Sequence, residues 1–182
     1  TFTVPAKIEA AAGEGKRPKI SILAYGGDVM AVAGFGDVVI DLAGMELPSN
    51  VTLLKDHDNT IDAVVGSGVP TVQGGQLLVN GTVADSDSGN RVVQLSKDGV
   101  ALQASVGAQA GESQFIEAGK TVTVNGRAVK SERPFRLIKT SRLREVTITP
   151  NGADHKTAVE IAARRSTSMA DETTMTQTPD EI

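Results

Sequence analysis

The feature that most limits how this chain can fold is the brevity of its apolar runs. They are short, rich in Val, Ile and Thr, and separated by glycine-containing turn signals, which is the pattern of half-buried strands rather than long helices. Eight such runs are expected as strands: Lys19–Tyr25, Val38–Leu42, Val51–Lys55, Leu77–Ala84, Val100–Ala108, Thr121–Val124, Phe135–Lys139 and Leu143–Thr149. Asn125-Gly126 stands between Thr121–Val124 and Arg127–Val129, the sequence of a two-residue type I′ hairpin turn in which both central residues take positive φ. Gly26-Gly27, Gly34-Phe35-Gly36 and Gly74-Gly75 read as further tight turns. One helix is expected, capped by Asp87 or Ser88, striped by Val92, Val93 and Leu95, and stopped by Gly99. A second stretch, Asp154–Arg165, fits a helix through Ala158, Ile161 and Ala162 and a strand through Thr157, Val159 and Ile161, so it stays open. The fold class is mainly β, an antiparallel barrel or sandwich with one or two helices on it.

A length of 182 residues suits one domain with a proper core. The absence of cysteine excludes disulfides, zinc-finger spacing, iron–sulfur ligation and thiol nucleophiles, and it fits a cytosolic setting. No run approaches the ~18 uninterrupted apolar residues of a membrane-spanning helix. The first residues carry neither a signal-peptide pattern nor an initiator methionine, which reads as a processed chain. The net charge of −4 is concentrated at one end. Ser166–Ile182 holds Asp171, Glu172, Asp180 and Glu181 and no base, and setting those four aside from the 22 acids leaves 18 against 18 bases. A neutral body is a poor nucleic-acid binder, because neutralising phosphates takes a one-sided basic surface. Poor in large apolar residues, the 166–182 segment cannot offset its ordering entropy. It is expected to be a flexible acidic linker or tail, while residues 1–165 form the domain.

Without cysteine, nucleophilic catalysis falls to a serine whose proton a histidine can take. Only His57 and His155 are available. His57 lies in Leu53-Leu54-Lys55-Asp56-His57-Asp58-Asn59, where a strand runs out into a polar turn; its plainer reading is a solvated loop histidine. Along Ala101–Ala108, alternation puts Leu102, Ala104 and Val106 on the core face and Gln103, Ser105 and Gly107 on the other. Ser105 therefore points away from the core with glycine beside it, or is simply a serine on a polar strand face. Along Leu143–Pro150, Val146 and Ile148 face the core while Glu145, Thr147 and Thr149 face outward. A carboxylate at Glu145 can orient a histidine, as the third triad member does, or serve as an ordinary strand-edge glutamate. Neither a metal nor a cofactor is expected. Asp56, His57 and Asp58 crowd together, but no further ligands stand at metal-binding spacing, and the glycine pairs lack the lysine and helix of a phosphate loop.

These same residues carry a resemblance. His57 in a Leu-Leu-x-x-His-Asp segment, Ser105 in Gln-Ala-Ser-Val-Gly-Ala, and then Arg-Glu-Val-Thr-Ile-Thr-Pro resemble the prohead (capsid) maturation serine proteases of tailed phages, which are related in fold to the herpesvirus assemblins. The spacings, 48 residues from His57 to Ser105 and 40 from Ser105 to Glu145, are of the sort that family shows, and the likeness runs from Lys19 to Pro150. It implies an assemblin-like antiparallel β-barrel flanked by helices, with Ser105 as nucleophile, His57 as general base and Glu145 as third member. Because assemblins use a second histidine there, His155 is the alternative to Glu145. Arginine holds the oxyanion in assemblins, which makes Arg142 and Arg144 candidates for that role. The resemblance further implies a homodimer that processes scaffold and major capsid proteins inside the procapsid, in the bacterial host cytoplasm. The tail would then join a scaffolding segment or contain a self-cleavage site. Seven bases (Arg127, Lys130, Arg133, Arg136, Lys139, Arg142, Arg144) cluster in one region, to meet an acidic scaffold segment or to block strand-to-strand aggregation. The competing reading is a non-catalytic capsid-associated or scaffolding β-barrel. A small-molecule-binding barrel is disfavoured by an inventory of four phenylalanines and one tyrosine.

Overall fold

A computed structural model describes residues 17–162. The tail expected over 166–182 lies outside the described residues. Most of the described chain is strand, in the order β1 (Lys19–Tyr25), β2 (Met30–Val32), β3 (Gly36–Ile40), β4 (Met45–Glu46), β5 (Val51–Lys55), β6 (Val64–Gln73), β7 (Gln76–Val83), helix α1 (Asp87–Lys97), β8 (Gln103–Ala110), β9 (Ser113–Ile116), β10 (Thr121–Val124), β11 (Arg127–Lys130), β12 (Phe135–Ile138), β13 (Ser141–Thr149) and β14 (Ala158–Ile161). The protein is mainly β, and α1 is the one α-helix among the described residues.

Alternation explains the main sheet. Ile20 and Ile22 of β1, Leu77 and Val79 of β7, Val51 and Leu53 of β5, and Val146 and Ile148 of β13 are all buried in one core. The strands lie in the order β14-β1-β7-β6-β5-β13-β4, with β8 also paired to β13. The pairs β13–β5 and β13–β4 are parallel and the rest antiparallel. At the far side of β8, two bonds reach toward β14 among the described residues: Val159 N–H donates to Leu102 O, and Ala104 N–H to the Thr157 hydroxyl. The sheet therefore curls without a continuous ladder closing it into a barrel. A second sheet, β2-β3-β12-β9, and the β10–β11 hairpin enclose a smaller core around Val39, Phe135, Val124 and Val129.

Several elements depart from the sequence expectation. Strand β6 lies outside the strands that the sequence pattern marks, because Gly66, Gly68 and Pro70 hide it. The glycines are there for close approach: a Cβ on Gly68 would stand 2.7 Å from Val79 Cγ1, and one on Gly81 opposite it 2.0 Å from Ser67 O. Pro70 is tolerated since it lies beyond the stretch of β6 that β5 pairs. The cap of α1 is Ser86, not Asp87 or Ser88: the Ser86 hydroxyl accepts from Gly89 N–H. Ser88 instead donates to Asp62 O. The open stretch after Asp154 resolves as strand β14, whose alternation lets it pair with the edge of β1. No helix among the described residues is long and apolar enough to cross a membrane.

Candidate active site

Three neighbouring strands build one polar patch on the face of the sheet opposite the core. In β13 an irregularity between Leu143 and Glu145 leaves Arg144 unpaired against β8, where Leu143 faces Ala108 and Glu145 faces Gly107. Strict alternation from the buried Leu143 would turn Glu145 inward; the extra residue resets the phase and aims Glu145 and Thr147 at the opposite face while Val146 and Ile148 fill the core. Across the β13–β8 ladder, Thr147 stands directly opposite Ser105.

The patch is more buried than the sequence suggests. Thr147 is 0% exposed, Glu145 7% and Ser105 9%. Gly107 does not open space for a ligand; it makes room for Glu145, since a Cβ there would stand 2.0 Å from Glu145 Oε1. A carboxylate so enclosed is costly unless paired. Its partner is His57, whose Nδ1 lies 2.8 Å from Glu145 Oε1, while Oε2 is buried with no hydrogen-bond partner among the described residues. Glu145 is thus not a solvated strand-edge glutamate, and His57 is not a free loop histidine.

The turn after β5 delivers the imidazole. Asp56 and His57 both take left-handed backbone conformations, with φ of 53° and 57°. Asp56 N–H donates to Ile148 O at 3.2 Å and His57 N–H to Thr147 Oγ1 at 3.0 Å, so the turn is fastened to β13. The His57 side chain is 48% exposed. With Nδ1 donating to the carboxylate, Nε2 is left as the basic nitrogen, the tautomer a general base requires. Ser105 lies diagonally across the β8–β13 ladder from Glu145. No hydrogen bond joins the Ser105 hydroxyl to the ring among the described residues; such contacts often tighten only when substrate binds.

Other candidates are placed elsewhere. His155 is exposed in the turn before β14. Asp154 of that turn is tied by its carboxylate to Gly26 N–H, and no bond links His155 to His57, Ser105 or Glu145 among the described residues. Arg142 is committed to Glu46, Nε to Oε2 at 2.8 Å, and pairs with Gln109, four positions along β8 from Ser105. Arg144 is exposed at the irregularity. Both arginines line a shallow pocket with Glu46, Asn50 and Thr52, and Thr52 is the β5 partner of Glu145. The basic cluster is partly consumed by internal partners, Arg133 by Asp37 and Arg136 by the Ser113 hydroxyl. Even-numbered residues of β8 turn their main-chain groups away from β13 and toward β14, as the bonds at Leu102 O and Ala104 N–H show, and Val106 N–H, next to Ser105, lies along that same edge without a hydrogen-bond partner among the described residues. Among those residues no group of three or more histidine, cysteine or acidic side chains is placed to hold a metal ion.

No protein-family model, curated protein or solved structure matches this chain.

Proposed function

We propose that this protein is a serine endopeptidase in which Ser105 is the nucleophile, His57 the general base and Glu145 the residue that orients it. The observation that carries this reading is the hydrogen bond between His57 Nδ1 and the buried Glu145 carboxylate, diagonally across one ladder from Ser105. In the first step Ser105 Oγ bonds to the peptide carbonyl carbon as its proton passes to His57 Nε2. The imidazolium so formed is stabilised by Glu145 and returns the proton to the leaving amine; water then hydrolyses the acyl-serine by the same route. Val106 N–H, on the residue after the nucleophile, is the proposed backbone donor for the developing oxyanion.

The substrate class comes from the resemblance to prohead maturation proteases: scaffold and major capsid proteins, cut inside a procapsid in the bacterial host cytoplasm by a homodimeric enzyme. On this reading the curled main sheet is the counterpart of the assemblin-like barrel. Co-expression with a capsid protein from the same source is the test. A shortened capsid protein with the native chain, and an intact one with Ser105→Ala, supports the assignment. A capsid protein left intact by both favours the non-catalytic scaffolding module, and equal shortening by both removes Ser105 as nucleophile.

A further inference from the structure

We propose that Thr147 is a positioning residue: it holds the His57 ring against Glu145 by tethering the His57 main chain. The inference deepens the hydrolase reading and rests on it for its catalytic meaning, although the tether itself can be tested without turnover.

Two consecutive non-glycine residues in the left-handed region are expensive, at ~1–2 kcal/mol each. Asp56 and His57 are such a pair, and neither has the glycine that relieves a tight turn. The conformation persists only where the surroundings over-determine it. The strand beneath supplies two fastenings from neighbouring positions: the main-chain carbonyl of Ile148 takes Asp56 N–H, and the Thr147 hydroxyl takes His57 N–H. Thr147 is fully buried, so its rotamer is fixed by packing and its oxygen stands where the turn must bring the amide.

The consequence is a clamp on one residue from one strand face. Glu145 and Thr147, two positions apart on β13, hold His57 by its ring nitrogen and by its backbone nitrogen respectively. Either bond alone leaves the ring a torsion to swing about; the two together fix both its position and its plane. Thr147 also stands directly opposite Ser105, so the residue that locates the base packs beside the nucleophile. The hydrogen bond the hydroxyl makes is to the His57 main chain, and this separates positioning from catalysis.

Thr147→Val keeps the shape and removes the acceptor; Thr147→Ser keeps the acceptor. The native chain should show His57 in a single Nδ1–H tautomer by nitrogen-15 NMR, with a downfield proton on Nδ1. Thr147→Val should lose that signature and lower kcat on peptide substrate by about 10–100-fold with KM unchanged, as is usual for groups that orient a functional ligand. Thr147→Ser should restore both. Retention of the Nδ1–H signature in a folded Thr147→Val variant overturns the proposal. Should Thr147→Val fail to fold, amide exchange of the native chain decides: His57 N–H strongly protected supports the tether, and His57 N–H exchanging freely overturns it. A native chain that shows the NMR signature but cleaves nothing separates the two ideas, since the tether then stands while the hydrolase reading fails.

Discussion

Two turns in this protein place successive residues in the left-handed region, and they do so by different means. At Asn125-Gly126, φ is 55° and 73°, and the residues are those that a type I′ turn favours on local grounds. At Asp56-His57, φ is 53° and 57°, without glycine, and the turn is closed by Asp58 N–H donating to Lys55 O. The first turn then spends its side chain on the fold: Asn125 Oδ1 accepts from Leu42 N–H, and Nδ2 donates to Gly27 O and Ile40 O. The second turn keeps its imidazole half in solvent and is itself held down from β13. The turn with glycine fastens the neighbouring sheet by its side chain, whereas the turn without glycine is held down by bonds from β13 and leaves its side chain half in solvent. Strain in a turn without glycine is expected to gather at functional sites.

The contrast is broken most severely at Gly107. Gly107→Ala puts a methyl group where the Glu145 carboxylate lies, so the anchor of the His57 ring moves while the Asn125 turn is untouched. Displacing a positioned group by an ångström costs about 10²-fold in rate, and peptidase assay of the folded variant should show at least that loss. Next comes Asn125→Ala, which removes three hydrogen bonds at ~1 kcal/mol each. Thermal melting should show a clear drop in Tm, with Ser105 reactivity unchanged well below the transition. Asp56→Gly runs the other way. Relief of one left-handed residue should stabilise by about 1 kcal/mol, raising Tm by roughly 2–4 °C for a chain of this size. A fall in Tm would mean that the turn is not strained.

The smallest effect concerns the loop that Asn125 fastens. The Lys156 ammonium, 2.7 Å from Asp28, holds the Asp28 carboxyl below its ordinary value, although partial burial pushes the other way. A carboxyl depressed on folding stabilises above its unfolded value and loses that contribution as pH falls through the folded one. Lys156→Met should therefore lower Tm slightly at neutral pH, the difference closing as pH drops well below ~3.9. The pair is exposed, so a large difference at neutral pH would contradict this account.

Much of this was legible in the sequence because it is written locally. Strands β1, β5 and β10 have the bounds expected from their alternation, and Gly99 stops α1 with φ of 78°. The shared face of Glu145 and Thr147 also follows from alternation back from the buried Val146 and Ile148. What was hidden depends on distant partners. Gly107 reads as open space until Glu145 is seen to occupy it. Thr147 gives no signal as an acceptor, because the amide it receives comes from 90 residues earlier. Strand β6 was lost because Gly66 and Gly68 serve close approach of its neighbours, a need that composition does not announce.

The central claim is that the Glu145-held imidazole activates the Ser105 hydroxyl. Intact mass spectrometry after treatment with a fluorophosphonate, with the adduct mapped to its residue, addresses this most directly. The account predicts one adduct on Ser105 in the native chain, none in Ser105→Ala, and strongly slowed labelling in His57→Gln and Glu145→Gln. A native chain that takes up no adduct, or takes it up equally after loss of the imidazole, would contradict it.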